Sequence, residues 1–405
     1  MEWHILALVT LALTAFGIVM VYSATSAPAV VGGANPTSYL ERQATYALLG
    51  IAGMLVLSRW NYTRLRTLAP TLVVCSLLGC AAVLVLAQPI NGARRWVSFG
   101  PAAFQPSEVA KLALAVWLAA YLTKRKPPSS LHELWKPIGA LLAVFLVLLL
   151  LEPDLGTSIT MAVMVGAVLF TSGTRLRTLG AGYLILAGLA LIVVMSKAYM
   201  RARLFSFLDP WQDPQGSGFQ IVQALIGLGS GHILGDGLGQ GVQKIHFLPE
   251  AHTDMIFAVI GEELGLLGTA SLILAYVLFA WAGLKTALEC RDPFGKRLAA
   301  GLTALVCGQA VINLAAVLGL APLTGIPLPF VSYGGSSLVV ELVAVGILLN
   351  IAASGGRAAA EVPDRGRGDG RPRAARAGDR GRVAEPRRPR DVRRVAGSRR
   401  STARS

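Results

Sequence analysis

The feature that most constrains this chain is a series of apolar blocks, too long and too numerous for one soluble core to cover. At about 17 to 25 residues per helical crossing, and allowing a few shorter or broken ones, the blocks divide into ten spans. They lie near 5-22, 44-58, 68-87, 106-122, 138-151, 158-172, 178-196, 254-284, 297-320 and 336-353. The fifth and sixth flank Glu152-Pro153-Asp154 and also read as one interrupted block. Two acids and a proline in mid-bilayer would be costly, which favours the split. With 54% hydrophobic and only 15% charged residues over 405 positions, the expectation is an all-α polytopic membrane protein. A long loop, 197-253, joins spans seven and eight.

Charge in the short loops sets the orientation. One set of loops holds Arg59, Arg64 and Arg66, then Lys124, Arg125, Lys126 and Lys136, then Arg175 and Arg177, then Lys285, Arg291, Lys296 and Arg297. The other holds little beyond Arg42 and the pair Arg94-Arg95. This asymmetry predicts cytoplasmic termini and places Asp254, with the loop before it, outside. Span one lacks a basic flank and a small-residue cleavage site, so it reads as a retained helix.

The net charge of +15 suggests nucleic acid until it is located along the chain. Residues 357-405 hold sixteen Arg against six acids. That Arg-, Gly-, Pro- and Ala-rich composition predicts a disordered cytoplasmic tail, separate from a membrane domain over 1-356. Such a tail beside a last span suits anionic lipid or a cytoplasmic partner and not nucleic acid. Four cysteines show no CxxC or Cys/His spacing and read as free buried thiols.

The unusual polar residues collect in segments at the predicted outer boundary. Asn91-Gly92-Ala93-Arg94-Arg95-Trp96 precedes Phe104-Gln105-Pro106-Ser107-Glu108. Pro106 suits a helix start and Glu108 the positive end of the helix dipole. Lys111 lies three residues deeper, where it either pairs with Glu108 or meets an acid from another helix. Glu152-Pro153-Asp154-Leu155-Gly156-Thr157 marks a helix break. Within the long loop, Phe219 to Leu228 reads as a short interfacial helix, and the run Gly227 to Gly241 as hinges or tight turns. Its Gly-x-Gly spacings follow no strand and do not make a dinucleotide site. Pro249-Glu250-Ala251-His252-Thr253-Asp254 puts two carboxylates and an imidazole before an apolar helix, where Thr or Asp also serves as a cap. Two turns further on, Glu262 and Glu263 read as buried, paired acids. Between the last two spans, Leu323 to Ser337, with Ser332 and Ser336, reads as a bent or re-entrant element.

These segments are expected to meet around one groove. Arginines hold phosphates by paired hydrogen bonds, Trp96 can stack on a sugar, and a carboxylate can take a hydroxyl proton. The mixture suits a lipid with a phosphorylated sugar head group, or else a transporter cavity.

Five ordered motifs over about residues 5-353 resemble the SEDS family of shape, elongation, division and sporulation proteins. They are Asn91 to Trp96, Gln105 to Glu108, Glu152 to Thr157, Pro249 to Asp254 with Gly261-Glu262-Glu263-Leu264-Gly265, and Pro327 to Ser337. The resemblance implies a ten-span peptidoglycan glycosyltransferase in a bacterial cytoplasmic membrane, polymerising lipid II on the outer face onto a lipid-linked glycan strand. It implies a class B penicillin-binding protein as partner, with other division proteins. Phe207 to Trp211, Asp213 to Gly218, Leu248 to His252 and Glu152 before Pro153 look like the division branch, whereas Thr324 to Pro329 looks like the elongation branch. Asp254 matches the family's essential acid and is the expected catalytic base, with His252 as competitor. Arg94, Arg95, Trp96, Glu108, Lys111, Asp154, Glu250, Ser332 and Ser336 are expected to bind substrate, with Arg201 and Arg203 behind them. No cofactor is required by these residues, and a divalent cation beside Asp254 stays open because no ligand set demands one. The rival classes are a lipid II flippase and a non-catalytic scaffold for a transpeptidase.

Overall fold

The computed structural model describes residues 1–33, 35–88, 94–99, 102–245 and 247–360. The first three residues of the Asn91 motif and the tail from 361 onward lie outside the described residues. Among the described residues, a helix falls on each of the ten apolar blocks. They are α1 (Glu2–Val31), α2 (Ser38–Arg59), α3 (Leu65–Leu86), α4 (Pro106–Lys124), a helix in two parts, α5 (Leu131–Leu134) and α6 (Ala140–Leu151), then α7 (Leu155–Thr171), α8 (Leu176–Ser196), α11 (Ile256–Glu289), α12 (Pro293–Val317) and α13 (Gly335–Ala360). Two further helices, α9 (Ala198–Leu208) and α10 (Phe219–Ser230), occupy the long loop, and β1 (Val97–Phe99) pairs antiparallel with β2 (Ala102–Phe104). α10 lies where the apolar stretch from Phe219 predicts a helix, whereas α9 and the hairpin were not foreseen. The last helix runs to Ala360, past the expected boundary at 356.

Among the described residues, seven of these helices are long and apolar enough to cross a membrane by length and composition alone. The other three are α7, with 17 residues, and α2 and α4, which carry charges within their length. α12 and α13 form the centre: 61% and 72% of their apolar windows are buried, against 11% for α8. α13 packs on α2, α12 on α7, α4 and α11, and α1 on α11. The exposed face of α8, with Leu184, Leu189 and Ile192, is what a lipid-facing helix presents.

α11 is broken at Gly265, whose φ of 62 lies in the region that side chains disfavour. A break in apolar surroundings strands backbone groups that need partners. The glycine-rich loop supplies them. Leu266 and Leu267 amides donate to the carbonyls of His232 (2.9 Å) and Ile233 (3.2 Å), and Asp236 and Gly237 amides donate to Glu262 and Glu263 carbonyls, each at 3.0 Å. Side chains complete the join. Glu262 accepts from the amides of Val242 (2.7 Å) and Gln243 (3.1 Å), while buried Glu263 pairs with Lys244 at 2.5 Å and accepts from Ser23 Oγ at 2.7 Å. Of the run expected to form hinges or turns, Gly227 to Ser230 belong to α10, and the rest is a sequence of turns folded back onto the broken helix.

The helix directions define two ends of the bundle. Lys285 pairs with Glu2 at 2.6 Å, and Arg297 donates to Thr123 Oγ1 at 3.3 Å, so the start of α1, the end of α4 and the start of α12 share one end. Asp254, the start of α4 and the start of α13 lie at the other.

Candidate active site

Asp254 sits in the turn before α11. Glu250 adopts a left-handed backbone (φ 55), and its carbonyl accepts from the amides of Thr253 (3.0 Å) and Met255 (3.4 Å), which winds residues 250–255 tightly. Thr253 Oγ1 donates to the Asp254 carboxylate at 3.2 Å. From α12, Asn313 Nδ2 donates both to the Asp254 carbonyl (2.8 Å) and to the Ile326 carbonyl (2.9 Å), tying the acid to the segment between the last two spans.

That segment brings a cation to the acid. Arg203 Nη1 on α9 donates to the Leu323 carbonyl at 3.3 Å. A Cβ on Gly325 would stand 3.8 Å from the same nitrogen and 3.9 Å from Asp254 Oδ2, so both charges face one small space. Burial pushes the Asp254 carboxyl up to about 6, against the lowering pull of Arg203, with Glu250 adding to the rise. His252 lies in an aromatic cage, edge-on to Tyr39 at 4.9 Å and tilted to Tyr333 at 5.6 Å. Burial lowers its pKa, opposed by Glu250. Glu250 itself is exposed, and its carboxylate, 3.1 Å from Thr253 Oγ1, is an alternative acceptor to Asp254 for that single hydroxyl proton.

A second group lies at the break between α6 and α7. Asp154 caps α7, accepting from the Thr157 amide (3.1 Å) and hydroxyl (2.8 Å), and also from Gln105 Nε2 at 3.2 Å. The Gln105 amide donates to Ser336 Oγ at 3.2 Å. Three of the sequence motifs therefore meet through one hydrogen-bonded chain. Arg95 donates to the carbonyls of Glu152, at 3.1 Å, and Pro153. Glu152 is fully buried, and neither carboxylate oxygen has a hydrogen-bond partner among the described residues. Burial and the Asp154 charge push its pKa up to about 8, opposed by Arg95, so it carries a proton near neutrality. This group reaches the first through α7, whose Gly156 abuts Thr324 and Ile326 so closely that a Cβ there would meet Ile326 Cγ2 at 2.1 Å.

Lys111, Glu108 and Ser332, expected at the groove, are engaged within the protein. Lys111 and Glu108 are almost wholly buried and paired at 2.9 Å. Lys111 also donates to Gln309 Oε1 at 2.7 Å, and Gln309 Nε2 donates to Glu341 (2.9 Å) and to the Pro327 carbonyl (3.0 Å). A charge set below the surface needs such partners, which is why the pair turns inward. The Ser332 hydroxyl accepts from the Leu328 amide at 2.8 Å and closes a turn. Arg94 is exposed and donates to the Leu84 carbonyl at 3.0 Å, while Trp96 is half-buried beside it. Among the described residues, no three His, Cys, Asp or Glu side chains converge as metal ligands do.

Sequence reasoning passed over Asn313, Gln309, Glu341 and Lys244, and kept Arg203 in reserve. The signal was present, since each of the first three is a polar residue inside an otherwise apolar span.

The fold and these groups define a polytopic membrane protein with a buried acid and a facing arginine at one end of its bundle. The chain belongs to the FtsW/RodA/SpoVE family of cell cycle proteins, whose model matches residues 3–356. A probable peptidoglycan glycosyltransferase FtsW from Geobacter metallireducens is 42% identical over 354 residues, covering 86% of this chain and 93% of that protein. Stage V sporulation protein E of Bacillus subtilis is 39% identical over 356 residues, covering 86% and 96%. A chain of a solved peptidoglycan synthase complex superposes with a TM-score of 0.72 at 33% identity, covering 86% of this chain and 97% of that one. The rod shape determining protein RodA of Thermus thermophilus superposes with a TM-score of 0.64 at 30% identity, covering 86% and 96%.

Proposed function

We propose that this chain is a peptidoglycan glycosyltransferase of the FtsW kind, polymerising lipid II for the septal wall, with Asp254 as its general base. The family and the FtsW relatives support the activity. The observation that carries the assignment of the base is the buried carboxyl facing Arg203 across the space beside Gly325.

In this mechanism the acceptor sugar hydroxyl of lipid II attacks the anomeric carbon of the lipid-linked strand. The new glycosidic bond forms as the bond to the pyrophosphate oxygen breaks. The hydroxyl proton passes to Asp254, whose pKa of about 6 leaves it ionised at neutral pH yet basic enough to accept. The departing pyrophosphate takes the electron pair, and Arg203, with Arg94 and Arg95 at the rim, offsets its charge. Arg95 also braces the Glu152 turn. Asp154 and Ser336 position the substrate walls, His252 and Glu250 hold the turn of the base, and the reading requires no cofactor. The site faces outward, both termini lie in the cytoplasm, and a class B penicillin-binding protein crosslinks the product.

Purified protein with its transpeptidase, given lipid II in detergent, should yield long glycan strands. Asp254→Asn should lose about 10²- to 10⁴-fold in rate while keeping fold and partner binding. Unaltered polymerisation by that variant would refute the assignment, and no product from a folded parent complex would favour transport. The run Thr324 to Pro329 favours a second reading, an elongation role like that of RodA. Complementation of FtsW- or RodA-depleted cells decides between them.

A further inference from the structure

At the end of the bundle away from Asp254, the connection from α4 to α6 forms a solvent-open cleft of about 410 Å³. Arg125, Lys126 and Lys136 line it with Tyr121, and Glu133 is its one acid. Glu133 is already engaged, accepting from the Ser129 amide at 2.8 Å and hydroxyl at 3.0 Å. Among the described residues, none of the three cations forms an ion pair. The Arg125 guanidinium instead stands 5.1 Å over the Tyr121 ring, which stacks on Trp117 at 5.2 Å. A stacked guanidinium keeps its in-plane N–H groups free to bind an anion.

The three cations are exposed and line one open cleft, where a bound anion would offset their solvent-screened mutual repulsion. The volume falls within the roughly 300 to 1,000 Å³ of small-ligand sites. The surroundings point to a lipid source. The cleft lies between the end of α4 and the start of α6, and Leu131 and Trp135, neighbours in sequence of Glu133 and Lys136 in that connection, are exposed, as interfacial anchors are.

We propose that this cleft binds a phosphate-bearing anion, and that its occupant is the head group of an anionic phospholipid. The site lies far from the Asp254 turn and does not depend on the glycosyltransferase reading.

The test uses the full chain in neutral detergent, titrated with phosphatidylglycerol or phosphatidylcholine and read by native mass spectrometry. One phosphatidylglycerol should bind in preference to phosphatidylcholine. The combined Arg125→Gln, Lys126→Gln, Lys136→Gln variant should bind it roughly 100-fold more weakly, at about fivefold per basic side chain. Glu133→Gln should tighten binding, an effect in the opposite direction that misfolding would not produce. A combined Arg59→Gln, Arg64→Gln, Arg66→Gln variant removes three cations from the same end of the bundle and should leave binding unchanged. Equal binding of both lipids, equal loss in the two triple variants, or no effect of the first would overturn the proposal. Inorganic phosphate forms the second arm. Binding of phosphate without phosphatidylglycerol would keep the anion site and overturn its lipid occupant.

Discussion

Asn313→Ala is the sharpest probe of how the acid is held. Asn313 is almost wholly buried, and its amide donates to two carbonyls, of Asp254 at 2.8 Å and of Ile326 at 2.9 Å. Truncation takes a donor from each, and an unsatisfied buried acceptor costs about 1 to 3 kcal/mol. The substitution should therefore cost about 2 to 6 kcal/mol of the assembled site. Most of that loss falls on the contact between the Asp254 turn and the Leu323 to Phe330 segment. A displacement of about 1 Å at a catalytic group costs about 10²-fold in rate, so kcat for lipid II polymerisation should drop by that order. KM should change less, because the walls built from Asp154 and Ser336 do not pass through Asn313. The assay is polymerisation by the purified variant with its transpeptidase, beside a thermal melt in detergent. Asn313→Asp keeps the shape but replaces the donor with a second acidic group, and should be worse than alanine. Parent-like kcat in either variant would refute the reasoning.

Other outcomes follow from the same geometry. Polymerisation should rise as pH increases through about 6 and then level, because only ionised Asp254 accepts a proton; Arg203→Gln should move the midpoint upward, and a rate that falls over this range would contradict the assignment. Since the folded carboxyl holds its proton above its ordinary value of 3.8, its contribution to stability is full below that value and lost as pH rises through about 6, which melts across pH would detect. Gly325→Ala, at φ +70, should cost about 1 to 2 kcal/mol of backbone strain and set a methyl between Arg203 and Asp254, lowering kcat in a chain that still folds. Lys244→Met should lower stability by about 3 to 5 kcal/mol by leaving Glu263 buried and unpaired, and Lys244→Met with Glu263→Leu should recover much of it in a melt.

The apolar blocks made the helices legible, because a bilayer demands both length and apolarity and the sequence displays both directly. The split at Glu152-Pro153-Asp154 was legible for the same reason. The fold-back of residues 232–245 onto the kink of α11 was not, since it depends on backbone amides that carry no side-chain signature. Lys111 was readable as a charge below the surface, but its partners Gln309 and Glu341 come from spans far along the chain, and spacing does not connect them. The proximity of Arg203 to Asp254 was hidden likewise, because the segment around Leu323 and Gly325 that brings them to one space lies far along the chain from α9. The motifs, spread from Asn91 to Ser337, read as one groove; the folded molecule links the Gln105, Asp154 and Ser336 motifs by hydrogen bonds and turns Lys111 and Glu108 inward to Gln309 and Glu341.

Gln309 and Asn313 stand four residues apart on α12, and together they make five hydrogen bonds, to Lys111, Pro327, Glu341, Asp254 and Ile326. One helix turn thus works as a latch with two teeth. A slide of a single residue, about 1.5 Å along the axis, would release both teeth together and free the acid, the final loop and the ionic core in one motion.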